Sequence, residues 1–336
     1  MINKKLKRLF TVICLCLLSV YVVWFINDSH FDGNQSKIAR LPQCPIFVSG
    51  PHNHGIIDDD FNSFYKSHTF PDAYTNVRHG GSWTPSHCLP VYDPIIVISP
   101  LKNRHEHLKV FLSIMHPFLQ IQNIPYSILT ITQDDGEEFN RGILMNMAIL
   151  YANKRVNCFI FADVDLIPDF YENLYTCNKT KPKSLISAVS YLDYMPKRKN
   201  AKVTNYNFGG IVALTREQFI KVNGFSTMFW GWGEEDRDLY RRCVYFYGGI
   251  ERVALNVGSV SHLSHKHFNM SSKFRRFTKI RKVSYDYTKD GLTNSDSICQ
   301  LVEVTKYPLR ENLVVKCKRP PESTIENFLN ISGLVS

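Results

Sequence analysis

The sequence predicts an α/β domain built on a nucleotide-binding sheet, and three apolar runs separated by two helical patterns carry that prediction. Ile95 to Ser99 (IIVIS), Ser127 to Thr132 (SILTIT) and Cys158 to Pro168 (CFIFADVDLIP) read as buried strands. Between them Leu108, Phe111, Leu112 and Met115, and later Ile143, Met147, Leu150 and Tyr151, recur at the spacing of a helix face. Strand, helix, strand, helix, strand implies a parallel sheet whose ligands lie beyond the carboxyl ends of its strands.

The loops after those strands hold the chemistry. SPLKNR (Ser99 to Arg104) and FNR (Phe139 to Arg141) each place Lys or Arg at the ligand edge, where a base, ribose or diphosphate could bind. Taken singly, each is a solvated surface charge; their shared position favours binding. The third loop carries Asp163-Val164-Asp165. Alternation along an extended strand would point both carboxylates one way, which suits a divalent cation plus a ribose or phosphate contact. An acid without a partner at the end of a buried strand would be costly. HLSHKH (His262 to His267) adds imidazoles. It lacks the Glu of a zinc-protease HExxH motif, and three histidines alongside the two aspartates suggest a carboxylate and imidazole site suited to Mn2+.

FWGWGEEDRDLYRR (Phe229 to Arg242) crowds Glu234, Glu235, Asp236 and Asp238 behind a turn of alternating Trp and Gly. Acids in a first helical turn with Arg241 and Arg242 further on describe a well-charged surface helix. The tryptophans favour another reading, because Trp230 and Trp232 offer flat apolar faces that pack on sugar rings. Aromatic platforms beside acids suggest a carbohydrate site.

Ahead of the domain, residues 9–26 are eighteen residues without a charge, preceded by Lys4, Lys5, Lys7 and Arg8. That length just spans a bilayer with the basic flank (residues 1–8) cytoplasmic. A cleaved signal peptide is the rival reading, but Val22, Val23, Trp24 and Phe25 offer no small-residue cleavage site. Residues 27–43 read as a short polar stem, and 44–336 suffice for one large domain. The formal charge of +10 falls to +6 once the four basic flank residues are set aside, no acid preceding Asp28. Dispersed Lys and Arg behind a luminal address argue against nucleic acid. Seven of the nine cysteines follow the anchor, so at least one is unpaired or pairs between chains. Sequons at Asn34, Asn178, Asn269 and Asn330 agree with a secretory route.

DVDLIP, NFGG (Asn207 to Gly210), NGF (Asn223 to Phe225), WGWGEED, DGL (Asp290 to Leu292) and YPL (Tyr307 to Leu309) together resemble the animal β-1,4-galactosyltransferases and their β-1,4-N-acetylgalactosaminyltransferase relatives, from about Cys44 to Cys317. The resemblance implies a GT-A type fold, a nucleotide-binding mixed sheet flanked by helices, in a single-pass type II protein of the Golgi membrane with its catalytic domain luminal. It implies disulfides Cys44–Cys88 and Cys158–Cys177; the pairing of Cys243, Cys299 and Cys317 stays open, Cys299 with Cys317 being one arrangement, which would leave Cys243 free. The donor is expected to be UDP-Gal or UDP-GalNAc, held by Pro100, Lys102, Arg104, Phe139, Arg141, Asp163, Val164, Asn207 and Trp232. Mn2+ is expected on Asp165, His262 and His265. Asp236 takes the place of the catalytic base, Glu235 helps hold the acceptor sugar, and Trp232 closes over the donor with a lid at about residues 263–282 that excludes water. Gly210, Glu235, Asp236, Arg276, Phe277 and Ile280 form the acceptor edge. The reaction implied is one inverting displacement onto the 4-hydroxyl of a terminal sugar, N-acetylglucosamine, of a glycoprotein or glycolipid.

This chain departs from the family pattern in four places. Leu101 and Lys102 replace the usual Phe and Arg, and Lys keeps the charge without the planar fork. His262 stands where most vertebrate members have Met, and an imidazole is a harder ligand than a thioether, suited to Mn2+. Arg237 replaces an acceptor-contacting Asp. Asn207 replaces the Tyr of galactose-transferring members; a smaller side chain leaves room for an N-acetyl group. An anchored carbohydrate-binding protein that lost turnover is the competing class, supported by Arg237 and the altered loop and opposed by Asp165, Asp236 and both histidines. A chondroitin-type hexosaminyltransferase shares the acidic motifs but has a longer, multidomain plan.

Overall fold

The computed structural model describes residues 41–45, 76–192, 202–203, 208–231, 233–263, 287–321 and 323–324. Those residues divide into two units. The smaller comprises parts of Met1–Cys44 together with Ser86–Leu89, and in it the expected Cys44–Cys88 disulfide closes beside a bridge between Gln43 and Leu89. Everything below belongs to the larger unit.

Its elements follow the order β1 (Ser82–Trp83), β2 (Ile95–Leu101), α1 (His105–Ile121), β3 (Tyr126–Gln133), α2 (Arg141–Tyr151), β4 (Cys158–Ala162), β5 (Leu166–Pro168), β6 (Lys183–Ser184), β7 (Ala188–Leu192), β8 (Lys202–Val203) and β9 (Ile211–Thr215). Helix α3 (Arg216–Lys221), α4 (Glu235–Tyr247), β10 (Glu251–Arg252), β11 (Ser259–Leu263), α5 (Ser295–Ile298), β12 (Cys299–Tyr307) and β13 (Arg310–Cys317) complete it. The main sheet runs β10-β6-β9-β4-β2-β3-β13-β12, with β1 added on β3. Strands β4, β2, β3 and β13 are parallel, as the sequence pattern predicts, but β9 returns antiparallel to β4 and β12 antiparallel to β13. The sheet is therefore mixed, as in a GT-A fold.

Central β2 is buried along its whole length because both faces are covered. Alternation sorts its side chains: Ile96 and Ile98 join the core beneath α2, while Ile95 and Val97 join the core beneath α1. Leu108, Phe111, Leu112 and Met115 of α1 are buried as expected. On α2, Ile143 and Met147 are buried, but Leu150 and Tyr151 are exposed. That corrects the expected helix face: the last turn of α2 runs past the sheet.

The run from Cys158 to Pro168 is not one strand. It breaks after Ala162, turns through Asp163 to Asp165, and resumes as β5 in a second sheet of order β5-β11-β7-β8. The expectation that strand alternation aligns the two aspartates is thereby overturned; a turn presents them. The chain breaks there because Leu166 pairs with His262 of β11 rather than continuing the main sheet. Disulfides Cys158–Cys177 and Cys299–Cys317 form, the latter directly across the β12–β13 ladder, and Cys243 is free and buried. No helix among the described residues is long and apolar enough to cross a membrane; residues 9–26 lie outside them.

Candidate active site

Three chain turns meet at the carboxyl edge of the main sheet. Helix α2 begins there because Asn140 caps it, its side chain accepting from the Ile143 amide at 3.0 Å. The cap sets Arg141 in the first turn, buried. Its Nε donates to Asp163 Oδ1 at 2.6 Å and its Nη1 to Asp236 Oδ1 at 2.7 Å, with Glu235 Oε1 3.8 Å from Nη1. One cation thus faces three carboxylates contributed by two other segments.

Asp236 and Glu235 open helix α4. The helix starts from a strained residue, Glu234 at φ +74, which Arg237 holds through contacts of 2.8 and 3.1 Å from its Nη1. The surface-helix reading therefore holds for Arg237, which is exposed, and fails for Glu235, Asp238 and Arg242, which are buried. Gly209 makes room for Asp236: a Cβ there would lie 2.0 Å from Asp236 Oδ2. Gly210, at φ +77, turns the chain so that its carbonyl accepts from the Asp163 amide at 2.8 Å, and any side chain there would strike Leu166. Gly231 N donates to the Phe139 carbonyl at 2.8 Å, tying the Trp-Gly turn to the loop before α2. Trp230 is buried in the core, not a platform for sugar.

Burial raises all three carboxylates. Asp163 is pushed up to about 7, with Asp165 and Asp236 adding to the effect of burial and Arg141 opposing it. Glu235 is pushed up to about 8 by burial and by Asp236. Asp236 is also raised by burial, against the pull of Arg141. Burial works against the Arg141 charge, and the carboxylates outweigh it. Two polar atoms of this cluster, Arg141 Nη2 and Glu235 Oε2, are buried with no hydrogen-bond partner among the described residues.

Asp165 and His262 sit on facing elements because the Leu263 amide donates to the Asp165 carbonyl at 2.8 Å, which fixes β11 against the turn. His262 Nε2 lies 3.6 Å from Asp165 Oδ2. Two ligands of one divalent ion stand about 3 to 4 Å apart, so an oxygen and a nitrogen donor at this separation fit a shared cation. Among the described residues no third His, Cys, Asp or Glu completes a cluster; His265 lies outside them. Asn207, Trp232, Arg276, Phe277 and Ile280 also lie outside.

The remaining donor candidates divide. Pro100 is within β2, Val164 is buried in the turn, and Phe139 is half-buried. Lys102 and Arg104 line a cleft of about 280 Å³ at the ends of β2 and β3, together with Leu101, Thr132, Asp134 and Arg310. Lys102 Nζ donates to the Glu137 carbonyl, which draws this cation toward the next loop. Arg310 carried no signal in the sequence; it reaches the cleft because β13 pairs in parallel with β3.

Residues 44–178 match the N-terminal region of glycosyl transferase group 7, and residues 195–266 match the N-terminal domain of galactosyltransferase. β-1,4-Galactosyltransferase 4 of Cricetulus griseus is 38% identical over 239 residues, covering 70% of this chain and 67% of that protein. β-1,4-Galactosyltransferase 1 of Homo sapiens is 32% identical over 283 residues, covering 83% and 68%. The chain belongs to the β-1,4-galactosyltransferase family. It spans 64% of the length of another member, human β-1,4-galactosyltransferase 2, at 34% identity over 251 residues and 73% of this chain. Among solved structures, that of a Drosophila β-1,4-galactosyltransferase 7 mutant in complex with manganese, UDP-Gal and xylobiose superposes with a TM-score of 0.54 at 22% identity, covering 72% of this chain and 98% of that one, and fixes the fold as GT-A.

Proposed function

We propose that this family member transfers galactose, or N-acetylgalactosamine, from a UDP-sugar to the 4-hydroxyl of a terminal N-acetylglucosamine on a glycoprotein or glycolipid, with inversion and in the presence of Mn2+. The observation that carries the proposal is the Arg141 cluster, in which one guanidinium joins the acid beside the cation position, Asp163, to the acid placed for catalysis, Asp236.

The three acids differ in exposure, and that assigns their roles. The Asp236 carboxylate is 32% exposed and directly paired with Arg141, which favours its ionised form, while Glu235 is 10% exposed and pushed up to about 8. Arg141 opposes the effect of burial at Asp236, so the more exposed, directly paired carboxylate is the one placed as a general base for an incoming hydroxyl. Glu235 Oε2 and Arg141 Nη2, both buried and without a hydrogen-bond partner among the described residues, are open to sugar hydroxyls. Lys102 and Arg104, which line the cleft, would hold the nucleoside and diphosphate together with Pro100 and Phe139. Asp165 and His262, joined by His265, would hold Mn2+, which when bound supplies positive charge to the departing diphosphate. Manganese and UDP-Gal in the Drosophila relative support this assignment. Residues 9–26 would anchor the protein in the Golgi membrane with the catalytic domain luminal.

The test is UDP release and product formation by the purified full chain with UDP-Gal and UDP-GalNAc across a panel of acceptors. Turnover with an N-acetylglucosamine-terminated acceptor should vanish with chelator and return with Mn2+. Release of UDP from neither donor with any acceptor would overturn the reading. No GalNAc transfer beside good Gal transfer would restrict the donor to UDP-Gal.

A further inference from the structure

We propose that Arg242 and Asp290 are positioning residues for this reaction, through a buried hydrogen-bonded chain that holds the two helix starts carrying Arg141 and Asp236 at a fixed spacing. The inference rests on the transfer reaction above.

The chain begins one residue before Arg141. Asn140 Nδ2 donates to the Thr227 carbonyl at 2.8 Å, and the Thr227 amide and Oγ1 both donate to Asp290 Oδ1, at 2.8 and 2.6 Å. Arg242 then takes up both the side chain and the backbone of Asp290: Nη2 lies 3.2 Å from Oδ2, and Nη1 donates to the carbonyl at 2.9 Å. Finally Arg242 Nε donates to Asp238 Oδ2 at 2.6 Å, two residues beyond Asp236 on α4. Asn140, Thr227, Asp290 and Arg242 are all 0% exposed. With the Arg141–Asp236 contact the path closes on itself, so a change at Asp290 is felt where the two helices meet at the site.

The same junction explains why two glycines are needed far from the chemistry. A Cβ on Gly291 would lie 1.9 Å from the Asn223 carbonyl oxygen, which accepts from the Leu292 amide at 2.7 Å. Gly224 likewise leaves no room for a side chain, with Asn146 Oδ1 2.4 Å from its would-be Cβ. NGF and DGL are thus two halves of one joint, and Asp290 is its charged element. Burying such a network yields little net stability over an apolar core. It does impose geometry, and a displacement of about 1 Å at a reacting group can cost on the order of 100-fold in rate.

The experiment compares Asp290→Asn, Arg242→Lys, Arg242→Met and Thr227→Val in the full chain with wild type, each assayed well below its own melting temperature. Asp290→Asn and Arg242→Met should lower kcat by about 30- to 100-fold while the calorimetric Kd for UDP with Mn2+ changes by less than about threefold. Arg242→Lys should recover part of the loss. Thr227→Val, close to isosteric and chosen because it should fold even where Asp290→Asn does not, should lower kcat by about three- to tenfold and add nothing on top of Asp290→Asn. His116→Gln, a buried site bonded to Tyr126 and the Leu309 carbonyl, should lower the melting temperature and leave kcat unchanged. Wild-type kcat in folded Thr227→Val and Asp290→Asn would overturn the positioning role alone. Absence of turnover in the wild-type protein would overturn the transfer reading and this inference with it.

Discussion

Two buried arginines, Arg141 and Arg242, face acids drawn from one short segment of α4, and their surroundings differ in one respect. Each nitrogen of Arg242 has an acceptor, among Asp238, Asp290 and the carbonyls of Val222 and Asn223, and the cation lies over the Tyr287 ring. Two carboxylates and one guanidinium close on themselves there. Among the described residues, Arg141 meets three carboxylates, Nη2 has no partner, and Glu235 Oε2 is unpaired. Surplus negative charge and open hydrogen-bonding valences at a solvent-reaching edge mark a place that a ligand completes. A satisfied network of the same residue types marks a joint.

Asp236→Asn tests the open cluster with the largest expected effect. Losing the base should cut transfer by about 10³- to 10⁴-fold, roughly 4 to 5 kcal/mol in the barrier, with UDP affinity kept. Loss of UDP affinity instead would make Asp236 part of the donor site. The closed network should respond in the opposite currency. Arg242→Met leaves Asp238 and Asp290 uncompensated in the interior and should cost about 3 to 5 kcal/mol of stability by urea unfolding. Arg141→Met should cost less stability, because Asp163 and Asp236 are 26% and 32% exposed where Asp238 and Asp290 are 8% and 0%, yet lose more activity. If Arg141→Met proves the more destabilising of the two, the division between site and joint fails.

A smaller effect is expected at the cation position. Replacing His262 by Met exchanges a borderline nitrogen for a soft sulfur, and should raise the Mn2+ concentration for half-maximal turnover by about tenfold at nearly unchanged maximal rate. An unchanged Mn2+ requirement would remove His262 from the ligand set and leave its 3.6 Å approach to Asp165 as a packing contact.

What was legible in the sequence was local. Apolar period gave β2, β3 and α1, and the loop positions of Arg141, Asp163 and Asp165 followed from strand order alone. Two things escaped it. The DVD turn reads as strand because Leu166, Ile167 and Pro168 continue the apolar run, although they pair in another sheet, with β11. Nothing local separates those alternatives, since both bury the same side chains. The Arg141–Asp236 contact also escaped, because the partners are 95 residues apart and each is satisfied only by the other's fold. Asp238 and Arg242 were more accessible: acid and base four apart on one helix face are a pair by spacing. The spacing does not reveal that Asp290, 48 residues on, completes their network from the interior. Exposure on α2 failed at its end, where Leu150 and Tyr151 keep the helical period beyond the sheet they were expected to cover.

The smallest predicted effect separates the two arginine clusters by pH. Glu235 has a folded-state pKa of about 8 against 4.5 for its ordinary value, so the fold binds a proton that the unfolded chain releases between those limits. Its contribution to stability is complete below about pH 4.5 and is lost as pH rises through about 8. Without Mn2+ or UDP, unfolding free energy should therefore decline between pH 5 and 8. Glu235→Gln, neutral throughout, should flatten that decline. Asp163 is raised in the same direction and keeps part of the slope in the variant. An undiminished slope in Glu235→Gln would mean that the proton taken up by the fold resides on another member of the cluster.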